Sequence, residues 1–239
     1  MYTETGYALN ISGTSFSSPY VAGCAALLKQ LHPDFTPVQI KGLLATTGNF
    51  TYNYHQTQKG WDYINNHDGI ASPVFQGGGN VDVDRAASAR VCFTPGNIGF
   101  GKTTVSGTDP QTKVRQVTIT NVSDEPVTLR PSNKEICSND HAYLDFNDAM
   151  IEIAPGASAT LDLTAHYQGE VYTDLQGYVM FQDNFGNFYQ LAYFGRFNTD
   201  SSAIGVSTDT DGDGLTKSQE QFMGTDLYRT DTDGDGIDD

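Results

Sequence analysis

The sequence predicts a multidomain chain with three parts: a mixed α/β region, an all-β sandwich and an acidic repeat tail. Residues 1–91 carry helix-like apolar segments, residues 92–200 alternate apolar and polar side chains, and residues 201–239 repeat an Asp-rich string. A length of 239 residues with 38% hydrophobic side chains supports a real core and excludes intrinsic disorder for most of the chain. The tail has too few apolar residues to form a core of its own.

Two helices and a glycine turn are predicted in the first region. The segment from Ser15 to Leu31 has almost no polar face, which is typical of a helix buried on all sides. A second helix is predicted after Thr36, a good N-cap, with Pro37 at its first position. The rest is predicted as a loop over 49–73 and a glycine turn with a short final helix over 77–89.

Strand periodicity begins in the second region. Apolar side chains alternate with polar ones at Val117 and Ile119, and again at Leu161, Leu163 and Ala165. Turn-forming strings such as TNVSDEPV, IAPGASA and QDNFGNF interrupt the pattern at short intervals. The spacing predicts a β-sandwich of about seven short strands.

The net charge excludes several classes of partner. Thirteen basic against 29 acidic side chains give a net charge of −16, which repels nucleic acids and anionic lipid surfaces. No stretch approaches the roughly 20 apolar residues of a membrane span, and no signal peptide is visible after Met1. Residues 201–239 hold ten acidic and two basic side chains, a net charge of −8, which favours a cation-binding tail.

The chain has three cysteines, Cys24, Cys92 and Cys137, which are too few for a disulfide framework. Two interpretations remain open. Cys92 and Cys137 lie in strand-like sequence and could pair in an oxidising compartment, or all three cysteines are buried small hydrophobic residues.

Ser15 lies in the string SGTSFSSP, directly before the predicted buried helix. A serine at a helix start has its own N–H among the unpaired donors, which can hold a developing oxyanion while the hydroxyl attacks a carbonyl. Pro19 is compatible with a first helical turn, where its missing N–H costs nothing. The Gly-x-Ser-x-Gly elbow of α/β-hydrolases does not fit, because the last position is Ser17.

The string GTSFSSPYVAGCAALL resembles the nucleophile segment of the subtilisin-like serine proteases, the subtilases. Two further strings, LHPDFTPVQIKGLLATTG and GGGNVDVDRAA, resemble the last two helices of that catalytic domain. The resemblance implies that residues 1–91 are the C-terminal part of an α/β subtilisin-like peptidase domain and that Ser15 is its nucleophile. The implied activity is that of a serine endopeptidase that cleaves proteins or peptides through an acyl-enzyme.

The other catalytic residues of that family have no counterpart in the sequence. The family order is Asp, His, Ser, yet the fourteen residues before Ser15 contain neither Asp nor His. The Asn that serves as second oxyanion donor in the family has no match. None of the five histidines is in a His-Gly-Thr string: His32, His55, His67, His141 and His166. We therefore expect a C-terminal fragment that is inactive without the N-terminal part of its catalytic domain.

The tail contains a calcium-loop pattern. The residues that match an EF-hand-type loop are Asp209, Asp211, Asp213, the Leu215 carbonyl and Glu220, with Gly214 at the turn. A second copy offers Asp231, Asp233 and Asp235, with a 22-residue period between TDTDGDGL and TDTDGDGI. Carboxylate and carbonyl oxygens in this spacing predict Ca²⁺ as the bound ion.

The tail also resembles bacterial thrombospondin type 3 repeats, on DTDGDG followed by GTD at 224–226. The strings FTPGNIGFG, VTITNVSDEPVTL and IAPGASATLDLTA resemble the fibronectin type III-like sandwich that follows many subtilase domains. Together these resemblances imply a bacterial protein that is secreted or held at the cell surface. The alternative function is a non-catalytic extracellular calcium-binding spacer or adhesion module.

Overall fold

The computed structural model describes residues 2–3, 6–7, 13–51, 70–105, 110–137, 142–146, 150–168, 173–199, 211–212, 215, 226 and 228–232. A short hairpin and the helices come first, and the sandwich strands follow. The hairpin and helices are β1 (Tyr2–Thr3), β2 (Gly6–Tyr7), α1 (Thr14–Leu31), α2 (Pro37–Thr46), α3 (Pro73–Gln76) and α4 (Val83–Ala87). The sandwich strands are β3 (Val91–Thr94), β4 (Asn97–Val105), β5 (Gln111–Asn121), β6 (Val127–Cys137), β7 (Ala142–Phe146), β8 (Ile151–Ile153), β9 (Ser158–Tyr167), β10 (Thr173–Asp183) and β11 (Phe188–Thr199).

The long helix α1 is confirmed, but its predicted burial on all sides is wrong for this chain. Its buried side chains are Cys24 and Leu28. Leu27 is 57% exposed and Tyr20 is 62% exposed. Among the described residues, α1 packs on α2 and α4, so only one side of the helix is covered.

The start of α2 follows the predicted capping signal. The Thr36 hydroxyl accepts from Gln39 N at 3.4 Å, and Gln39 Oε1 accepts from Thr36 N at 2.9 Å. These reciprocal bonds satisfy two of the unpaired donors at the helix start. The short final helix is confirmed as α4, whereas α3 lies between the predicted loop over 49–73 and the predicted glycine turn, where no helix was predicted.

The predicted all-β region is confirmed as two packed sheets. One sheet has the order β4-β11-β10-β6-β8 and the other β3-β5-β9-β7. Most neighbours are antiparallel, but β4 and β11 run parallel. The strands exceed the predicted seven because β8 has only three residues and because Pro95 and Gly96 alone separate β3 from β4. Such short elements leave little periodicity to detect.

Residues from both sheets form one continuous hydrophobic core. The predicted alternation holds on β9, where Leu161, Leu163 and Ala165 are buried. Aromatic residues fill the space between the sheets, and Tyr167 stacks on Phe197 with ring centroids 5.0 Å apart. The largest buried aromatic residues of this core are Phe93, Phe100, Tyr167, Phe181, Tyr189, Tyr193 and Phe197.

The structure decides part of the cysteine question. Cys24 and Cys92 are both free and buried, so Cys92 is not in a disulfide. The Cys92 thiol donates to Gln39 O at 3.4 Å, and burial raises the pKa of Cys92 to about 11. The side chain of Cys137 lies outside the described part of the chain. No helix in the described ranges is long and apolar enough to cross a membrane.

Candidate functional site

Ser15 is the second residue of α1, and its side chain is exposed. The helix begins after Gly13, whose carbonyl accepts from Phe16 N at 3.0 Å and from Ser17 N at 3.3 Å. The N–H groups of Thr14 and Ser15 precede these first bonds, so the helix itself gives them no acceptor among the described residues. The Ser15 hydroxyl and N–H therefore lie together at the positive end of a helix of 18 residues.

Pro19 lies deeper in the helix than the sequence predicted. Because α1 begins at Thr14, Pro19 is its sixth residue and falls in the second turn. A residue at this position normally donates to the carbonyl four residues earlier, which is that of Ser15. Pro19 has no N–H, so the Ser15 carbonyl lacks its helical donor. The start of α1 therefore combines unpaired donors with a weakened first turn.

The described histidines are not neighbours of Ser15 in the sequence or along its helix. His32 is the C-cap of α1, about 25 Å from Ser15 at 1.5 Å per residue. Its ring stacks on Phe35 with centroids 4.3 Å apart. His166 lies on β9, with its Nε2 4.0 Å from Asp145 Oδ2. His55, His67 and His141 lie outside the described residues.

An apolar groove runs between α1, α2 and the segment that follows α3. Its volume is about 670 Å³. The sequence indicated that α1 is apolar on all sides but not which side stays uncovered. The groove is lined mainly by Val21, Ala25, Ile40, Leu44 and Val81.

In the described part of the tail, the Asp211 carboxylate bears on cation binding. Both carboxylate oxygens of Asp211 are shielded from solvent, and neither has a hydrogen-bond partner among the described residues. Gly212 follows with φ 89°, in the left-handed region that a sharp turn requires. A shielded carboxylate without donors fits a cation as its missing partner.

The structure describes only some of the other predicted calcium ligands. Leu215 and Asp231 are described, but Asp209, Asp213, Glu220, Asp233 and Asp235 lie outside the described residues. The described portion alone holds no group of three potential metal-ligating side chains. Between the two repeats, Asp226 N donates to the Thr232 hydroxyl at 2.7 Å, a contact that links the GTD string to the second copy.

One comparison with known proteins covers the region that contains Ser15. Residues 2–71 match the Subtilase family (Peptidase_S8). The subtilisin-like protease SBT3.11 of Arabidopsis thaliana is 40% identical over 100 residues, which cover 39% of this chain and 12% of that protein. The subtilisin-like protease SBT3 of Solanum lycopersicum is 33% identical over 145 residues, which cover 60% of this chain and 17% of that protein. The chain therefore matches less than a fifth of the length of these relatives.

Solved structures resemble the chain only weakly. PapD-like domain 7 of human CEP192 has a TM-score of 0.38 at 8% identity and covers 46% of this chain and 87% of that chain. The VesB protease of Vibrio cholerae has a TM-score of 0.32 at 11% identity and covers 47% of this chain and 32% of that chain.

Proposed function

We propose that this chain supplies the nucleophile segment of a subtilisin-like serine endopeptidase, with Ser15 as the nucleophile. The observation that carries the proposal is the exposed Ser15 at the start of a long helix, inside the residues that match the Subtilase family. In this proposal residues 1–91 are the C-terminal part of the peptidase domain and residues 92–200 a fibronectin type III-like sandwich. The tail, residues 201–239, forms thrombospondin type 3-like repeats. The substrate is a protein or peptide.

The chemistry follows from the helix start. The Ser15 Oγ attacks the peptide carbonyl carbon, and the hydroxyl proton passes to a general base. The Ser15 N–H donates to the oxyanion that forms. Collapse of the tetrahedral intermediate breaks the C–N bond, and the leaving amine takes the proton from the base. Water then hydrolyses the acyl ester and restores the serine.

The proposal assigns the base, its orienting carboxylate and the second oxyanion donor to a segment outside residues 1–239. His32 is at the opposite end of α1, and the fourteen residues before Ser15 contain neither His nor Asp. A serine hydroxyl without a base is a weak nucleophile. Residues 1–239 alone are therefore proposed to be inactive.

Substitution of Ser15 in the complete gene product tests the proposal. We expect Ser15→Ala to lower kcat on a casein or peptide-ester substrate by about 10⁴-fold or more, because a nucleophile acts as a unit with its base. Ser17→Ala is the matched control, since Ser17 is exposed and its hydroxyl donates to Gly13 O at 3.5 Å, within its own helix start. We expect it to stay within a few-fold of wild type. Unchanged turnover in Ser15→Ala would overturn the proposal.

We propose calcium binding by the tail as a second function, carried by the shielded oxygens of Asp211. The ion would be held by Asp209, Asp211, Asp213, the Leu215 carbonyl and Glu220, with a weaker second site at Asp231, Asp233 and Asp235. A bound cation neutralises the mutual repulsion of these carboxylates and orders the loop. Calcium is abundant outside cells, so this function fits a protein that is secreted or held at the cell surface.

Calorimetric titration of residues 1–239 tests calcium binding. We expect a Kd of about 10⁻⁴ to 10⁻³ M for Ca²⁺ and weaker binding of Mg²⁺, which demands an octahedron and keeps its water. Glu220→Gln and Asp211→Asn should each weaken the first site at least tenfold. Glu152→Gln, an exposed acid on β8, is the control for net charge. Equal affinity for both ions would contradict a calcium loop.

The two experiments also separate the alternatives. Calcium binding together with no Ser15-dependent turnover would favour a non-catalytic calcium-binding spacer or adhesion module. Ser15-dependent turnover would exclude that alternative, whatever the tail binds.

A further inference from the structure

The helices and the sandwich meet along a seam in which α2 and the residues flanking α3 lie against β3, β10 and β11. The backbones approach very closely there. A Cβ at Gly42 would overlap Phe93 O, and a Cβ at Gly96 would lie 2.8 Å from Gly42 Cα. Only glycine allows this approach, so α2 lies directly on the start of the sandwich.

Two buried side chains of the sandwich make hydrogen bonds across the seam. Gln190 Nε2 on β11 donates to Gly48 O and, at 2.7 Å, to Gly78 O. The Tyr178 hydroxyl on β10 lies 3.1 Å from Gly77 O and 3.3 Å from Ala71 O, both possible acceptors. Gln190 and Tyr178 are 2% and 0% exposed, respectively. Both side chains therefore contact backbone carbonyls on the helical side of the seam.

A third contact crosses the seam in the opposite direction. Arg85 of α4 donates through Nη1 to Gly48 O at 3.0 Å and through Nη2 to Phe188 O at 2.7 Å. The end of α2, the start of α4 and the start of β11 therefore share one set of bonds.

The seam extends to the helix that carries Ser15. The two buried side chains of α1, Cys24 and Leu28, belong to a cluster that includes Leu43 of α2, Ala86 of α4 and Cys92 of β3. Cys92 is a residue of the sandwich. Within the described residues, α1 therefore rests on elements that the sandwich holds in place.

We infer that the sandwich positions the Ser15 helix, with Tyr178 and Gln190 as positioning residues that act through α2 and the segment after α3. The inference rests on the proposed function of Ser15. A nucleophile displaced by about 1 Å can lose about 10²-fold in rate, so a small loosening of the seam affects turnover before it affects substrate binding. The sandwich is then part of the catalytic framework and not a separate appendage.

Two buried tyrosines provide a matched test in the complete gene product. Tyr178→Phe removes the seam hydroxyl, whereas Tyr193→Phe removes a hydroxyl that donates to Asn133 Oδ1 at 2.9 Å inside the sandwich. We expect Tyr178→Phe to lower kcat about three- to tenfold with KM within twofold of wild type. Tyr193→Phe should leave both constants within twofold. Gln190→Leu should match Tyr178→Phe, with Gln116→Leu, exposed on β5, as its control.

Hydrogen exchange of residues 1–239 provides a readout that does not depend on activity. We expect the α1 amides from Cys24 to Leu31 to exchange at least threefold faster in Tyr178→Phe than in Tyr193→Phe. Equal exchange in the two variants, or equal kcat, would overturn the inference. If wild type shows no Ser15-dependent turnover but the exchange difference is present, the proposed function fails and the mechanical coupling stands.

Discussion

The sandwich and the helical region bury their apolar side chains to very different degrees. In the sandwich, Leu163 and Phe93 are 0% exposed, and their neighbours come from both sheets. In α1, Leu27 is 57% exposed and Leu31 is 55% exposed. Both regions are rich in apolar residues, so composition does not explain the contrast.

The difference lies in where each region finds its partners. A strand with one apolar face needs only a facing sheet, and this chain contains both sheets. A helix that is apolar on all sides needs neighbours all around it. The described residues cover one side of α1, and the groove beside it stays open. Among the described residues, both sides of the sandwich core are thus covered, whereas only one side of α1 is.

Separating the two regions should change stability the most. A polypeptide of residues 91–199 should unfold in one cooperative thermal transition, because its core is formed entirely by its own strands. Residues 1–90 alone should lack such a transition and aggregate, because α1 exposes apolar surface and α2 loses the seam. Circular dichroism melting and size-exclusion chromatography measure both outcomes. A cooperative transition in residues 1–90, or none in residues 91–199, would contradict the comparison.

The sequence predicted the features that local patterns determine. Thr36 and Pro37 mark the start of α2, and the alternation at Leu161 and Leu163 marks a buried face of β9. Hydrogen-bond partners at helix starts lie within three or four residues, so a short string specifies them. The Ser15 segment belongs to the same class, because its string and the helix that follows are contiguous.

The features that depend on distant residues were not predicted. The parallel pairing of β4 with β11 joins segments more than 80 residues apart, and no local pattern encodes it. The same holds for Gln190, whose amide reaches Gly48 across 142 residues. Pro19 falls in the second turn and not in the first, because α1 begins at Thr14, five residues before it.

Two leucine truncations test the same difference in burial with single side chains. Leu163→Ala, on β9, should lower the free energy of unfolding by about 2–5 kcal/mol, because a buried leucine is lost and a cavity remains. Leu27→Ala, on the open side of α1, should change it by less than about 0.5 kcal/mol in residues 1–239. Urea unfolding measures both. A Leu27→Ala loss comparable to that of Leu163→Ala would mean that α1 is covered in solution.

The weakest effect that we expect is the pH dependence of stability from Asp82, the N-cap of α4. Asp82 caps α4: its Oδ1 accepts from Arg85 N at 3.0 Å, and its Oδ2 accepts from Asn49 Nδ2 at 2.8 Å. These bonds, the Arg85 N–H first, lower the pKa of Asp82 below its usual range. A carboxyl whose folded pKa lies below its unfolded value of about 3.9 stabilises the fold above that pH, and the contribution is lost as pH falls through the folded pKa.

Asp82→Asn keeps a capping side chain but cannot ionise, so its urea midpoint should fall below that of wild type at pH 6 and approach it at pH 3. Because Asp82 is partly exposed to solvent, the difference at pH 6 should be only a few tenths of a kcal/mol. A difference of the same size at both pH values would show that the charge of Asp82 contributes nothing to stability.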